Sequence, residues 1–129
     1  MNKVKSIRVD DKVILLTGGT GHLGKAIAKS LITNGAKVYV LGRDENKFNT
    51  IFSEVENACF QYCDISVTSS ISETVKNIYT KTGKIDVLIN NAFYSKGQSP
   101  EKLTDEEWNY GMEGTVGSAF KFIRGVIPV

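Results

Sequence analysis

Thr17-Gly18-Gly19-Thr20-Gly21-His22-Leu23-Gly24 is the stretch of this chain best equipped for chemistry. The chemistry it offers is the seating of an anion. Gly18 can take a backbone angle that a Cβ would forbid, and Gly21 lets the main chain approach a ligand closely. Gly24 lets the following helix lie tightly on what precedes it. Lys12-Val13-Ile14-Leu15-Leu16 runs just before, an apolar run that reads as a buried parallel strand. Lys25 to Ile32 runs just after and reads as a helix, with Leu23, Ile27 and Leu31 on one face. Strand, glycine loop and helix together present unpaired N–H groups and the positive end of a helix dipole, a seat for a pyrophosphate. The alternative is an ordinary strand-to-helix turn with spare glycines. His22, the one histidine, either donates to a phosphate or serves as a spacer.

Arg43 is the second candidate. It follows Gly42 at the end of the apolar run Lys37-Val38-Tyr39-Val40-Leu41. In a dinucleotide fold that place, about 20 residues past the glycine loop, reads the adenosine ribose. An acidic side chain there accepts from a free ribose hydroxyl, whereas an arginine pairs with a 2′-phosphate. Gly42-Arg43 therefore favours NADP(H), with NAD(H) as the alternative if Asp44 or a water serves the ribose. Cys59 and Cys63 lie four apart on a predicted strand, on one side but too far separated to bridge easily. With no third cysteine and one histidine, no metal set is predicted, and they read as buried thiols. Ser95 and Ser99 are ordinary loop serines.

The elements that must position these residues alternate regularly. Strands are predicted at Lys12 to Thr17, Lys37 to Leu41, Ala58 to Tyr62 and Ile85 to Ile89, the last as a doubly covered strand. Helices are predicted from Leu23 to Asn34, from Glu45 to Glu56, and from the capping box Ser70-x-x-Glu73, with Ile71, Val75 and Ile78 as a stripe and Gly83 at its end. A second capping box, Thr104-x-x-Glu107, opens a last helix whose apolar face is Trp108, Met112, Val116, Ala119, Phe120 and Ile123. The alternation argues an α/β fold, a doubly wound parallel sheet in the order 3-2-1-4 with helices on both faces. Residues 1–11 read as a loose lead-in and 12–129 as one domain. A net charge of +2 with 41% hydrophobic residues gives no sign of a nucleic-acid partner, and no apolar run reaches a membrane span. Met1 to Asp11 lacks the apolar centre of a signal peptide, so a cytoplasmic setting is expected.

These residues together resemble the short-chain dehydrogenase/reductase family and its Rossmann-like sheet. Thr17-Gly18-x-x-Gly21-x-x-Gly24 is similar to that family's cofactor loop, which implies cofactor contacts for Gly18, Thr20, Gly21, His22, Leu23 and Gly24. Asp64 is similar to the family's aspartate that hydrogen-bonds the adenine amino group, with Ile65 lining the adenine pocket. Asn90-Asn91-Ala92 resembles the family's Asn-Asn-Ala-Gly, which steadies the central sheet and touches the nicotinamide ribose through Asn90 and Ala92; here the closing glycine is Phe93.

Two departures bear on function. The family's Tyr-x-x-x-Lys pair is absent: Tyr39, Tyr62, Tyr79, Tyr94 and Tyr110 have Arg43, Ser66, Gly83, Gln98 and Gly114 four places on. An unperturbed phenol near pKa ~10 is a poor proton carrier at neutral pH. Gly114-Thr115-Val116-Gly117 stands where many members carry a relay asparagine. The resemblance thus implies the amino-terminal, cofactor-binding half of an oxidoreductase, truncated after about four strands and without turnover by itself. A stand-alone nucleotide-binding or regulatory module is the competing reading; a sugar-nucleotide epimerase half is weaker, because Asn90-Asn91-Ala92 argues against it. A homo-oligomer is expected, through the helix that opens at Thr104 or through the edge of the fourth strand. Gly111, Gly114 and Gly117 recur along that helix, a stripe on which a second backbone could pack.

Overall fold

The computed structural model describes residues 8–129. A four-stranded parallel sheet, β1 (Val13–Thr17), β2 (Lys37–Gly42), β3 (Ala58–Tyr62) and β4 (Val87–Ile89), has the predicted order β3-β2-β1-β4. Strand β1 is buried at every position and β2 from Val38 to Leu41, because helices cover both faces of the sheet. Ile14, Leu16, Val38 and Val40 pack on α1 (His22–Thr33) and α2 (Glu45–Phe52) through Ala28, Phe48 and Phe52. Val13, Leu15, Tyr39 and Leu41 pack the opposite way, on Ile71, Val75 and Ile78 of α3 (Thr68–Thr82) and on Phe122 of α5 (Ser118–Val126). Each fully buried side chain of this size stabilises the fold by about 1.5–3 kcal/mol.

Several boundaries differ from the sequence expectation. Helix α3 starts at Thr68, and Ser70 makes no capping box: its hydroxyl accepts from the Asp64 N–H at 3.0 Å. Helix α2 ends at Phe52, and Glu54, at φ +64°, has already left it. Strand β4 is shorter than Ile85 to Ile89 and lies half-exposed at the sheet edge, paired only with β1 among the described residues. On α1 the side turned fully inward is Gly24 and Ala28, while Leu23 stays 64% exposed. Residues 1–7 of the expected lead-in lie outside the described residues. Val9 packs against the α1–α2 cluster and the Asp11 N–H donates to Gly35 at 3.1 Å, so the chain is held to the fold before β1 begins.

The last helical region departs most. The Thr104–Glu107 capping box forms as predicted and opens α4 (Asp105–Met112). A π-helical turn, Glu113–Gly117, then joins α4 to α5. The side facing the molecule is Gly114, Ser118 and Phe122, and the predicted apolar face points outward, with Trp108 57%, Val116 58% and Phe120 57% exposed. The inward side is built mostly of small residues because the backbone itself comes close. A Cβ on Gly114 would overlap the carbonyl oxygen and ring of Tyr94. The helix glycine with the nearest neighbour, Gly114, finds it in its own chain at Tyr94.

Candidate functional site

The carboxyl ends of the strands converge on one cleft. After β1 the chain turns at Gly18, whose φ of +68° favours glycine. The Gly18 N–H donates to Leu41 at 3.1 Å and the Gly21 N–H returns to Gly18 at 3.0 Å. A Cβ on Gly24 would overlap the Gly18 carbonyl, so the third glycine sets how closely α1 approaches the loop. Gly21 precedes α1 without a side-chain cap, and the first turn of α1 holds no acidic residue, so its N–H groups remain available to an anion.

Thr17 ties β4 to this loop. Its hydroxyl accepts from the N–H groups of Asn91 at 3.0 Å and Ala92 at 2.9 Å and donates to the Ile89 carbonyl at 3.5 Å. The Asn91 amide donates to the carbonyls of Thr17 and Gly18, each at 3.1 Å. Asn91 therefore steadies the sheet. Asn90, expected at the ligand, is instead exposed and outside the walls of the cleft.

At the far side, Asp64 is held by Ser66, whose hydroxyl at 2.6 Å and N–H at 2.9 Å both donate to one carboxylate oxygen. Those bonds, the hydroxyl's first, with Arg43 adding a smaller pull, hold its carboxyl below the usual range, so it is ionised at neutral pH. The second oxygen lies 3.9 Å from the Arg43 guanidinium. Burial pushes the Cys63 thiol up, and both cysteines are free, Cys63 buried and Cys59 half-buried.

The cleft has two lobes. A cavity of about 210 Å³ is bordered by Gly42, Arg43, Asp64, Ile65 and Ala92. The other lobe runs along Thr20, Gly21, His22, Leu23 and Gly24. Gly18, Arg43, Ala92 and Phe93 border both lobes. Ten of the eleven residues singled out from the sequence thus meet in one place, with Asn90 the exception. A planar base in the first lobe would meet Ile65 and the second oxygen of Asp64. A phosphate in the second would meet the loop N–H groups.

Sequence reasoning missed Lys47, Phe93, Tyr94 and Tyr110. Lys47 borders the loop lobe from the first turn of α2, where Asp44 caps its N–H at 2.9 Å. Tyr94 and Tyr110 pack ring on ring at 4.7 Å beside the first lobe, and Lys96 sits 5.0 Å over Tyr110. Burial, with Glu113 nearby, raises the Tyr94 phenol, which makes it a poor proton carrier at neutral pH. Among the described residues there is no metal-holding cluster of three acidic, histidine or cysteine side chains, and no helix is long and apolar enough to cross a membrane.

Comparison with known proteins agrees with this fold. Residues 12–129 match the family model described as short chain dehydrogenase. The chain is similar to a 3beta-hydroxysteroid dehydrogenase of Mediterraneibacter gnavus, 31% identical over 88% of this chain and 43% of the relative. It is similar to a 3-oxoacyl-[acyl-carrier-protein] reductase of Salmonella typhimurium, 32% identical over 92% of this chain and 49% of the relative. Among solved structures it is similar to an actinorhodin polyketide ketoreductase determined with NADPH, with a TM-score of 0.81 and 30% identity over 91% of this chain and 46% of that one. The chain spans about half the length of the curated relatives it matches.

Proposed function

Because this chain belongs to the short-chain dehydrogenase family, we propose that its cleft binds a nicotinamide dinucleotide, NADP(H) in preference to NAD(H), as the cofactor-binding part of an oxidoreductase. The observation that carries the reading is the convergence of the glycine loop, Arg43 and Asp64 on one cleft. The adenine amino group donates to Asp64 beside Ile65. The pyrophosphate lies on the N–H groups of the loop and first turn of α1, with Thr20, His22 and Leu23 around it. Arg43 pairs with the 2′-phosphate, and Ala92 borders the second ribose. A bound nicotinamide supplies hydride transfer. The ketoreductase neighbour determined with NADPH supports the same cofactor here.

Titration with NADPH and NADH tests the preference. Wild type should bind NADPH more tightly, and Arg43→Ala should weaken NADPH about tenfold while sparing NADH, as expected for loss of a charge-assisted pair. Equal affinities in wild type would remove the basis for NADP(H).

One observation favours a second reading, a nucleotide-binding module without chemistry of its own: no tyrosine in the chain has a lysine four places on. Steady oxidation of NADPH with a carbonyl substrate by the purified chain would exclude it. We propose that a second copy associates through the outward face of α4 and α5 or through the edge of β4. The exposed Trp108, Val116 and Phe120 support the first, and the single-sided pairing of β4 supports the second. Two free thiols suit the cytosol.

A further inference from the structure

Phe93 stands where the family pattern has glycine, and it is 68% exposed. An exposed phenylalanine on a loose loop would mean little, but this one projects from a fixed backbone. The two residues before it are tied to Thr17, Asn91 through its N–H and its side chain and Ala92 through its N–H. Ala92 also lies against the loop, since a Cβ on Gly18 would come within 3.1 Å of it. Phe93 borders both lobes of the cleft. It also borders a third cavity of about 350 Å³, between the loop after β4 and α4, walled by Leu103, Trp108 and Met112. The ring therefore stands where the cleft passes into an apolar groove.

Resting on the cofactor reading above, we infer that Phe93 is a platform on which the nicotinamide end of the dinucleotide stacks. The adenine end is already provided for at Asp64 and Ile65 in the first lobe. The pyrophosphate belongs to the glycine loop. The part of the ligand that continues past Ala92 is the second nucleoside, and its planar ring meets the one large exposed apolar side chain next along the chain. Stacking covers that side chain and directs the ring towards the apolar groove. Phe93 is a cofactor-contacting residue, and its ring supplies contacts that a glycine could not make.

The test compares two probes, NADPH and 2′,5′-ADP, which carries the adenosine end without the nicotinamide. Phe93→Ala should weaken NADPH about tenfold, as loss of a base–aromatic stack does, and leave 2′,5′-ADP unchanged. Phe93→Tyr should restore NADPH binding. Equal weakening of both probes would mean that Phe93 only shapes the loop, and unchanged or tighter NADPH binding would mean that it is idle or obstructs the site. Either result overturns the inference while leaving the cofactor reading intact. A wild-type chain that binds neither probe overturns both.

Discussion

Thr17 supports more of the cleft than any residue placed against a ligand. It is 1% exposed, and its hydroxyl is the shared partner of the Asn91 and Ala92 N–H groups. Thr17→Val keeps the shape and orphans both donors. Each buried unpaired group costs about 1–3 kcal/mol, so urea unfolding should show a loss at least of that order, and Thr17→Ser should recover most of it. Asp86 holds the opposite end of β1. Its carboxylate accepts from the Val13 N–H at 2.8 Å and pairs with Lys84 at 3.1 Å and Lys12 at 3.4 Å, which lowers its carboxyl to about 2. A carboxyl lowered in the folded state contributes stability that is complete above its unfolded value of about 3.9 and is lost as pH falls towards the folded one. Thermal midpoints should therefore fall between about pH 4 and pH 2, and Asp86→Asn should flatten that part of the profile. The places of Arg43 and Asp64 just past β2 and β3 were readable in the sequence, Arg43 from its distance past the glycine loop and Asp64 from the family resemblance. Thr17 as an anchor was not, since its partners lie 74 and 75 residues away. Neither could two adjacent asparagines reveal that Asn91 turns inward and Asn90 does not.

Among the elements, the four strands and their order were readable from apolar runs between helical stretches. The local signals at helix ends were less reliable, for physical reasons. Ser70-x-x-Glu73 and Thr104-x-x-Glu107 have equivalent spelling, yet only the second caps a helix, because the Ser70 hydroxyl is engaged by Asp64. The last helical region was misread because an apolar stripe ordinarily faces the core. Here the core side is Gly114 and Ser118, pressed close to the loop of Tyr94, and the stripe is left outside. This pairing predicts opposite outcomes for two similar substitutions. Gly114→Ala should destabilise by about 1–3 kcal/mol through overpacking against Tyr94, although alanine is the better helix former. Gly117→Ala meets only the flexible Glu113 carboxylate and should be neutral or stabilising by up to about 1 kcal/mol. Thermal denaturation of the two variants checks both.

At the scale of the whole molecule, the outward stripe of α4 and α5 and the edge of β4, paired on one side among the described residues, predict self-association. Light scattering over a concentration series should show species larger than a monomer, and Val116→Glu with Phe120→Glu should shift them towards monomer without loss of helix content. A monomer at every concentration, with β4 amides protected from exchange, would remove the basis for association. The tie between Thr17 and Asn91 also has a consequence in time. Their separation of 74 residues means that the glycine loop leaves the ribosome long before the residues that form its floor. Closing so long a span is paid for in chain entropy before any contact rewards it, which makes the docking of β4 on β1 a late event. A dinucleotide that recognises only the assembled cleft would then act on that late step, and its binding free energy would hold the cleft closed.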